Sequence, residues 1–168
     1  SQAGSSFSKG ETIMDAASNV MAMAPDCIVI RYPHAGIPRK MAEILPCSVI
    51  NAGDGYHEHP TQALLDMYSL KERFGTLKGL NVAIVGDIMH SRVARSNVYG
   101  LTRMGARVTL VAPKTLLPPG VETWSARVST ELDPVIPSAD AVMMLRVQME
   151  RLNERFFPDI REYSTFYG

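Results

Sequence analysis

Short apolar runs rich in β-branched residues recur along this chain: CIVI, SVIN, LNVAIVGD, ARVTLVAP and ADAVMMLRVQ. They constrain the fold more than any other feature. A strand with one wet face alternates apolar and polar residues, whereas these runs are nearly continuous and so suit strands buried on both faces. Helical spacing fills most of the intervals between them. Ile13, Met14, Ala17, Val20 and Met21 follow a 3.6-residue period after KGET, and Pro25 ends that pattern. A second helix is expected to begin at Pro38 and to cover Met41, Ile44 and Leu45. HPTQALLDMYSLKERFG reads as a longer helix stopped by Gly75, and Arg92 to Met104 as another closed by Gly105. The expected fold is therefore α/β, with two α/β/α units of parallel strands joined by a helix and incomplete at both termini. The linker GTLKG sets the expected boundaries: one unit over residues 1–58, a connecting helix and linker over 59–79, and a second unit over 80–168.

Charge composition narrows the function classes. Lys and Arg together number 17, and Asp and Glu together also 17, so no net field draws the chain to nucleic acid or an anionic membrane. Anion binding must come from local clusters. No apolar run approaches the roughly 20 residues that span a bilayer, and the opening SQAGSSFSKG lacks an apolar signal core, so a cytoplasmic location is expected. Cys27 and Cys47 give no disulfide framework and are expected as buried free thiols. The start without Met and the irregular close FFPDIREYSTFYG read as the ends of a piece cut from a longer polypeptide.

Ligands of open α/β sheets bind beyond the carboxyl ends of the strands, so the residues that follow each apolar run carry most of the functional signal. Arg31 follows CIVI, the turn NAGDG follows SVI, HSR with Arg92 follows AIVGD, and Arg146 follows AVMML. In NAGDGYHEHPTQ, Gly53 and Gly55 permit conformations that other residues resist. Pro60 suits the first helical position, which puts His59 at the N-cap and Gln62 at N3. A helix start presents free amide donors, so an imidazole and a carboxamide there could polarise a carbonyl or phosphate oxygen, or Gln62 could merely close a capping box. His57 and His59 do not have HExxH spacing, and no metal is expected. His57 is expected as a solvated loop residue, and His34 and His90 as solvated or backbone-bonded loop imidazoles. The single glycine of VAIVGD falls short of a dinucleotide fingerprint. Arg92, with Ser91 as its cap, could grip a carboxylate bidentately, or form a surface salt bridge. Arg146 and Gln148 stand at i and i+2, which an extended backbone aims in one direction. Arg151 could form a structural bridge. SSFSKGET offers hydroxyls and Lys9 ahead of a helix, a composition that could reach a phosphate or simply form a solvated loop.

Taken together, NAGDG with HPTQALLD, RYP, SKGET, GDIMHSRVARSN and LRVQMER resemble the aspartate carbamoyltransferase family, catalytic chain. HPTQALLD is the most specific of these, since the sister ornithine enzymes usually read closer to HPCQALAD and lack LRVQ in this form. The resemblance implies transfer of a carbamoyl group from carbamoyl phosphate to the amino group of L-aspartate in pyrimidine synthesis, with no cofactor and no covalent enzyme intermediate. It implies that Arg31, His59 and Gln62 contact carbamoyl phosphate and carry the catalysis. Lys9 and Ser6 match a loop that enters a neighbouring subunit's site, which implies a homotrimer with shared active sites. Arg92, Arg146 and Gln148 match aspartate-binding positions. The family's Ser-Thr-Arg-Thr phosphate loop and its His-Pro-Leu-Pro segment are missing, so this piece is expected to be inactive alone. Glu58 stands where relatives commonly have glutamine. The sequence carries no signal for or against a regulatory chain or a dihydroorotase as partner. Two other readings stay open at this point: a noncatalytic carbamoyltransferase-like binding module, and a generic nucleotide-binding doubly wound domain.

Overall fold

A computed structural model describes residues 13–146. The chain runs α1 (Ile13–Met21), β1 (Cys27–Tyr32), α2 (Ile37–Ile44), β2 (Ser48–Asp54), α3 (Pro60–Phe74), β3 (Asn81–Val85), α4 (Arg92–Arg103), β4 (Arg107–Val111), β5 (Arg127–Ser129) and β6 (Ala141–Met144). All strand pairs are parallel and fall into two sheets. β1 pairs with β2, and the second sheet has the order β5-β4-β3-β6. The order reverses at β3, which is flanked by β4 on one side and β6 on the other, the topology that opens a crevice at the strands' carboxyl ends.

The central strands β3 and β4 of the second sheet are buried on both faces, as continuous apolar strands require. Val128 of β5 and Val142 and Met144 of β6 are exposed, against expectation for the apolar run AVMML. On one face Val82, Ile84, Val108 and Leu110 pack against Ala94, Val98 and Leu101 of α4. Ile84, Leu101 and Leu110 are each 0% exposed, and full burial of such a side chain contributes about 1.5–3 kcal/mol. On the other face Ala83, Val85 and Val111 meet Leu132, Val135 and Ala139. Helix ends follow their punctuation. Ser91 Oγ accepts from Ala94 N–H at 3.1 Å and caps α4. Gly75 closes α3 in the left-handed region at φ 76, and its N–H donates to Lys71 O.

Three expectations need correction. The β1–β2 pair is not covered on both faces among the described residues, since Val29 is 67% and Ile50 42% exposed. Two strands with α2 packed on one side leave the other side open. Cys27 is exposed rather than buried because it opens β1 at that uncovered sheet, while Cys47 is half-buried with its thiol 3.5 Å from the Met21 sulfur. The segment between β4 and β6 also holds the short edge strand β5, which three residues of RVS are too few to announce.

Candidate active site

The junction between β2 and α3 is organised around Asp54, which is 3% exposed. One of its carboxylate oxygens accepts from Glu58 N–H at 2.8 Å, and the other from Gly36 N–H at 3.1 Å. Asp54 thereby ties the turn before α3 to the loop that follows β1. Gly55 N–H donates to Tyr32 O at 2.8 Å and closes the same seam. At φ 54, a Cβ on Gly55 would stand 2.9 Å from Ala35 N, so the loops can meet this closely only over a glycine. Register slips between Ile30 and Tyr32, where β2 contributes one extra residue opposite Arg31. Bulges of this kind bend a strand and re-aim the neighbouring side chain, here the exposed Arg31.

Arg92 enters from the second sheet. Its guanidinium is buried, with the residue 7% exposed, and Nη1 donates to Gly55 O at 3.1 Å. A Cβ on Gly53, at φ 120, would lie 2.8 Å from Arg92 Cζ. The glycines of the turn thus make the bed on which the guanidinium rests, and Arg92 is buried rather than at the surface. Gly53→Ala is expected to cost about 1–3 kcal/mol from overpacking and to displace Arg92. Equilibrium denaturation would check the first effect and the NMR signal of the Arg92 guanidinium the second.

His59 is the N-cap residue of α3 but makes no side-chain cap bond, which leaves its imidazole available for another task. Its N–H donates to Ser96 Oγ at 2.9 Å, and Ser96 Oγ–H donates to Glu58 Oε2 at 2.5 Å. Two consecutive residues of the turn are thereby pinned to α4. Thr61 Oγ1 lies 3.3 Å from His59 Nδ1. A hydroxyl donating there leaves the ring proton on Nε2, the tautomer able to donate to a carbonyl oxygen. Burial, then the Arg92 charge, then the Arg31 charge, hold the imidazole pKa below its usual 6.5, with Asp66 pulling the other way. Arg31, in β1, and Arg92, at the start of α4, are therefore both close enough to act on the same imidazole.

Gln62 does not close a capping box. Its Nε2 donates to Asp66 Oδ1 at 2.9 Å instead. Arg146 stands just past β6, where Leu145 N–H donates to Val85 O at 2.7 Å, so it flanks the turn that leads to Arg92. Ser6, Lys9, Gln148 and Arg151 lie outside the described residues. His90 departs from expectation, since its Nδ1 is 2.9 Å from Oδ1 of the fully buried Asp87. His57 is half exposed and 3.4 Å from Asp54, and His34 is exposed beside the Tyr32 ring. Among the described residues, no group of three or more His, Cys, Asp or Glu is arranged to hold a metal ion. Sequence reading missed Asp54 and Ser96. The sole hint of Ser96 was a small polar residue inside a helix, one turn after Arg92.

Residues 1–72 match the family model described as aspartate/ornithine carbamoyltransferase, carbamoyl-P binding domain. The chain is 60% identical to the aspartate carbamoyltransferase catalytic subunit of Thermobifida fusca over 98% of its own length and 53% of that protein's. It is 54% identical to that of Geotalea uraniireducens with the same coverage. The fold superposes on aspartate transcarbamoylase from Trypanosoma cruzi in complex with carbamoyl aspartate and phosphate. The TM-score there is 0.79 at 29% identity, covering 90% of this chain and 53% of that one. The same enzyme with carbamoyl phosphate and aspartate gives a TM-score of 0.76 at 28% identity, covering 89% of this chain and 51% of that one. The chain spans about half the length of the curated relatives it matches. Motifs, parallel topology and sequence identity over 98% of the chain agree in one likeness, to about half of an aspartate carbamoyltransferase catalytic subunit.

Proposed function

We propose that this chain contributes to an enzyme that transfers the carbamoyl group of carbamoyl phosphate to the amino group of L-aspartate, yielding N-carbamoyl-L-aspartate and phosphate for pyrimidine synthesis. The unit before α3 takes carbamoyl phosphate and the unit after it takes aspartate. The amine nitrogen attacks the carbamoyl carbon and forms the new C–N bond. The C–O bond to phosphate then breaks, and phosphate leaves with the electron pair and the proton shed by nitrogen. Arg31 and the Nε2–H of His59 donate to the carbonyl oxygen as it becomes an oxyanion. Gln62 contacts the carbamoyl group, and Arg92, Arg146 and Gln148 hold the two carboxylates of aspartate. Lys9 and Ser6 reach the phosphate of a neighbouring subunit in a homotrimer located in the cytoplasm.

The observation that carries this reading is the convergence on His59. Burial first, and then two guanidinium groups, Arg92 at the start of α4 and Arg31 of β1, lower the pKa of one imidazole at the start of α3. This is a cationic site shaped for a polyanion with a carbonyl at its centre. The test is calorimetric titration with a bisubstrate analogue bearing a phosphonate and two carboxylates. The expected result is saturable binding that weakens at least tenfold in both Arg92→Ala and Arg146→Ala, one strong charge-assisted bond being worth about 1.5–3 kcal/mol. Indifference to both substitutions would refute the aspartate assignment.

A further inference from the structure

Asp66 sits one turn beyond Gln62 on α3, and no role in the proposed chemistry has yet fallen to it. Both of its carboxylate oxygens are engaged: Oδ1 accepts from Gln62 Nε2 at 2.9 Å, and Oδ2 accepts from Asn97 Nδ2 at 2.7 Å. Asn97 belongs to α4 and is 0% exposed. Its second amide hydrogen goes to Val93 O at 3.1 Å. A relay therefore runs from the buried face of α4, through Asp66, to the carboxamide at the start of α3.

An i, i+4 Gln–Asp pair on an exposed helix would be an ordinary local contact. Asn97 argues for more than that. Its Oδ1 is buried and has no hydrogen-bond partner among the described residues. Leaving such an acceptor unpaired is destabilising, and an apolar residue of similar size would avoid it. Rotating the amide would turn its oxygen toward the Asp66 carboxylate and Val93 O, which are both acceptors, and would gain no donor from either. The side chain is thus held in the one orientation that serves Asp66. In turn Asp66, an acceptor at both oxygens, fixes the Gln62 amide with its nitrogen inward, because the reverse would set oxygen against oxygen. Gln62 Oε1 then faces away from Asp66. Asp66 also acts electrostatically on His59, which places the relay beside the imidazole.

We propose that Asp66 is a positioning residue that sets the acyl specificity of the site. It presents Gln62 as a pure acceptor, and this selects an acyl phosphate whose acyl group carries N–H donors over one that ends in methyl. The inference rests on the carbamoyl-transfer reading above. A carbamoyl group offers two N–H hydrogens to Oε1, whereas an acetyl group of nearly the same shape offers none and leaves the acceptor unpaired. With Gln62 reversed, its own N–H would meet the carbamoyl N–H, and the preference would disappear.

The test compares carbamoyl phosphate with acetyl phosphate at saturating aspartate, in the polypeptide as the cell makes it, for wild type and Asp66→Asn. The substituted amide keeps the shape but can donate, which releases Gln62 to flip. The ratio of kcat/KM for the two acyl phosphates is expected to fall about tenfold, the loss of one net hydrogen bond. Asn97→Ala, which frees Asp66 without touching Gln62, is expected to lower the ratio in the same direction and guards against misfolding of the first variant. Equal losses for both acyl phosphates, or an unchanged ratio in both variants, would show Asp66 to be structural only and overturn the proposal. Failure of the wild type to transfer the carbamoyl group at all would overturn the parent reading, an outcome separate from any change in the ratio.

Discussion

His59→Ala is expected to lower kcat roughly 100- to 1000-fold while changing the Michaelis constant for aspartate much less. Removal of one preorganised oxyanion donor costs about 2.7–4 kcal/mol in the transition state, and the ground state uses that bond weakly. The motivation is an imidazole at the start of α3 that caps nothing and is held below its usual pKa by burial, Arg92 and Arg31. A kcat within threefold of wild type would remove His59 from the chemistry. The depressed pKa carries its own signature. An unfolded chain takes up this proton near the usual 6.5, whereas the folded chain resists protonation until lower pH. The unfolded state therefore binds more protons as pH falls below that value, and stability is lost across that window. Denaturation on either side of pH 6.5 should reveal a decline that His59→Ala diminishes.

Arg92→Ala is expected to reduce kcat/KM for aspartate roughly 100-fold, the equivalent of about 3 kcal/mol for a charge-assisted bidentate contact. The guanidinium rests on Gly53 and donates to Gly55 O, so the substitution also leaves that carbonyl without its donor and opens space beneath the turn. A measurable loss of stability should accompany the kinetic defect. Arg92→Lys is expected to recover little of either, since a single ammonium cannot bond the Gly55 carbonyl and span a carboxylate together. Unaltered kinetics in aspartate would exclude Arg92 from substrate binding.

Much of this architecture could be read from the residues. Continuous apolar strands fixed the parallel second sheet, Gly75 and Gly105 marked the helix ends, and Pro60 placed His59 at the start of α3. Each of these signals acts within a few positions of its effect. What escaped the reading depends on residues far apart in sequence. The bond from Ser96 to Glu58 and the packing of Arg92 on Gly53 join parts of the chain 38 and 39 positions apart. A serine in a helix and a glycine in a turn have many commoner uses, so neither announces its partner. Asp54 looked like an ordinary turn aspartate, though it holds the loop after β1 to the turn before α3. The Asp87–His90 pair was hidden for a different reason: burial, which local composition does not encode, made the neighbouring aspartate the best partner for that imidazole.

The dependence of the Gly53–Gly55 turn on a side chain made later has a consequence for biosynthesis. A ribosome polymerises the turn about 40 residues ahead of Arg92, Ser96 and Asn97, so the turn leaves the exit tunnel before they do. Until α4 emerges and docks, the glycine bed is empty and the serine anchor for His59 does not exist. A nascent chain can form its first strand pair early, yet a finished pocket must await a helix synthesised after it. Translational arrest between the two would release a product with the correct histidine and no means of aiming it.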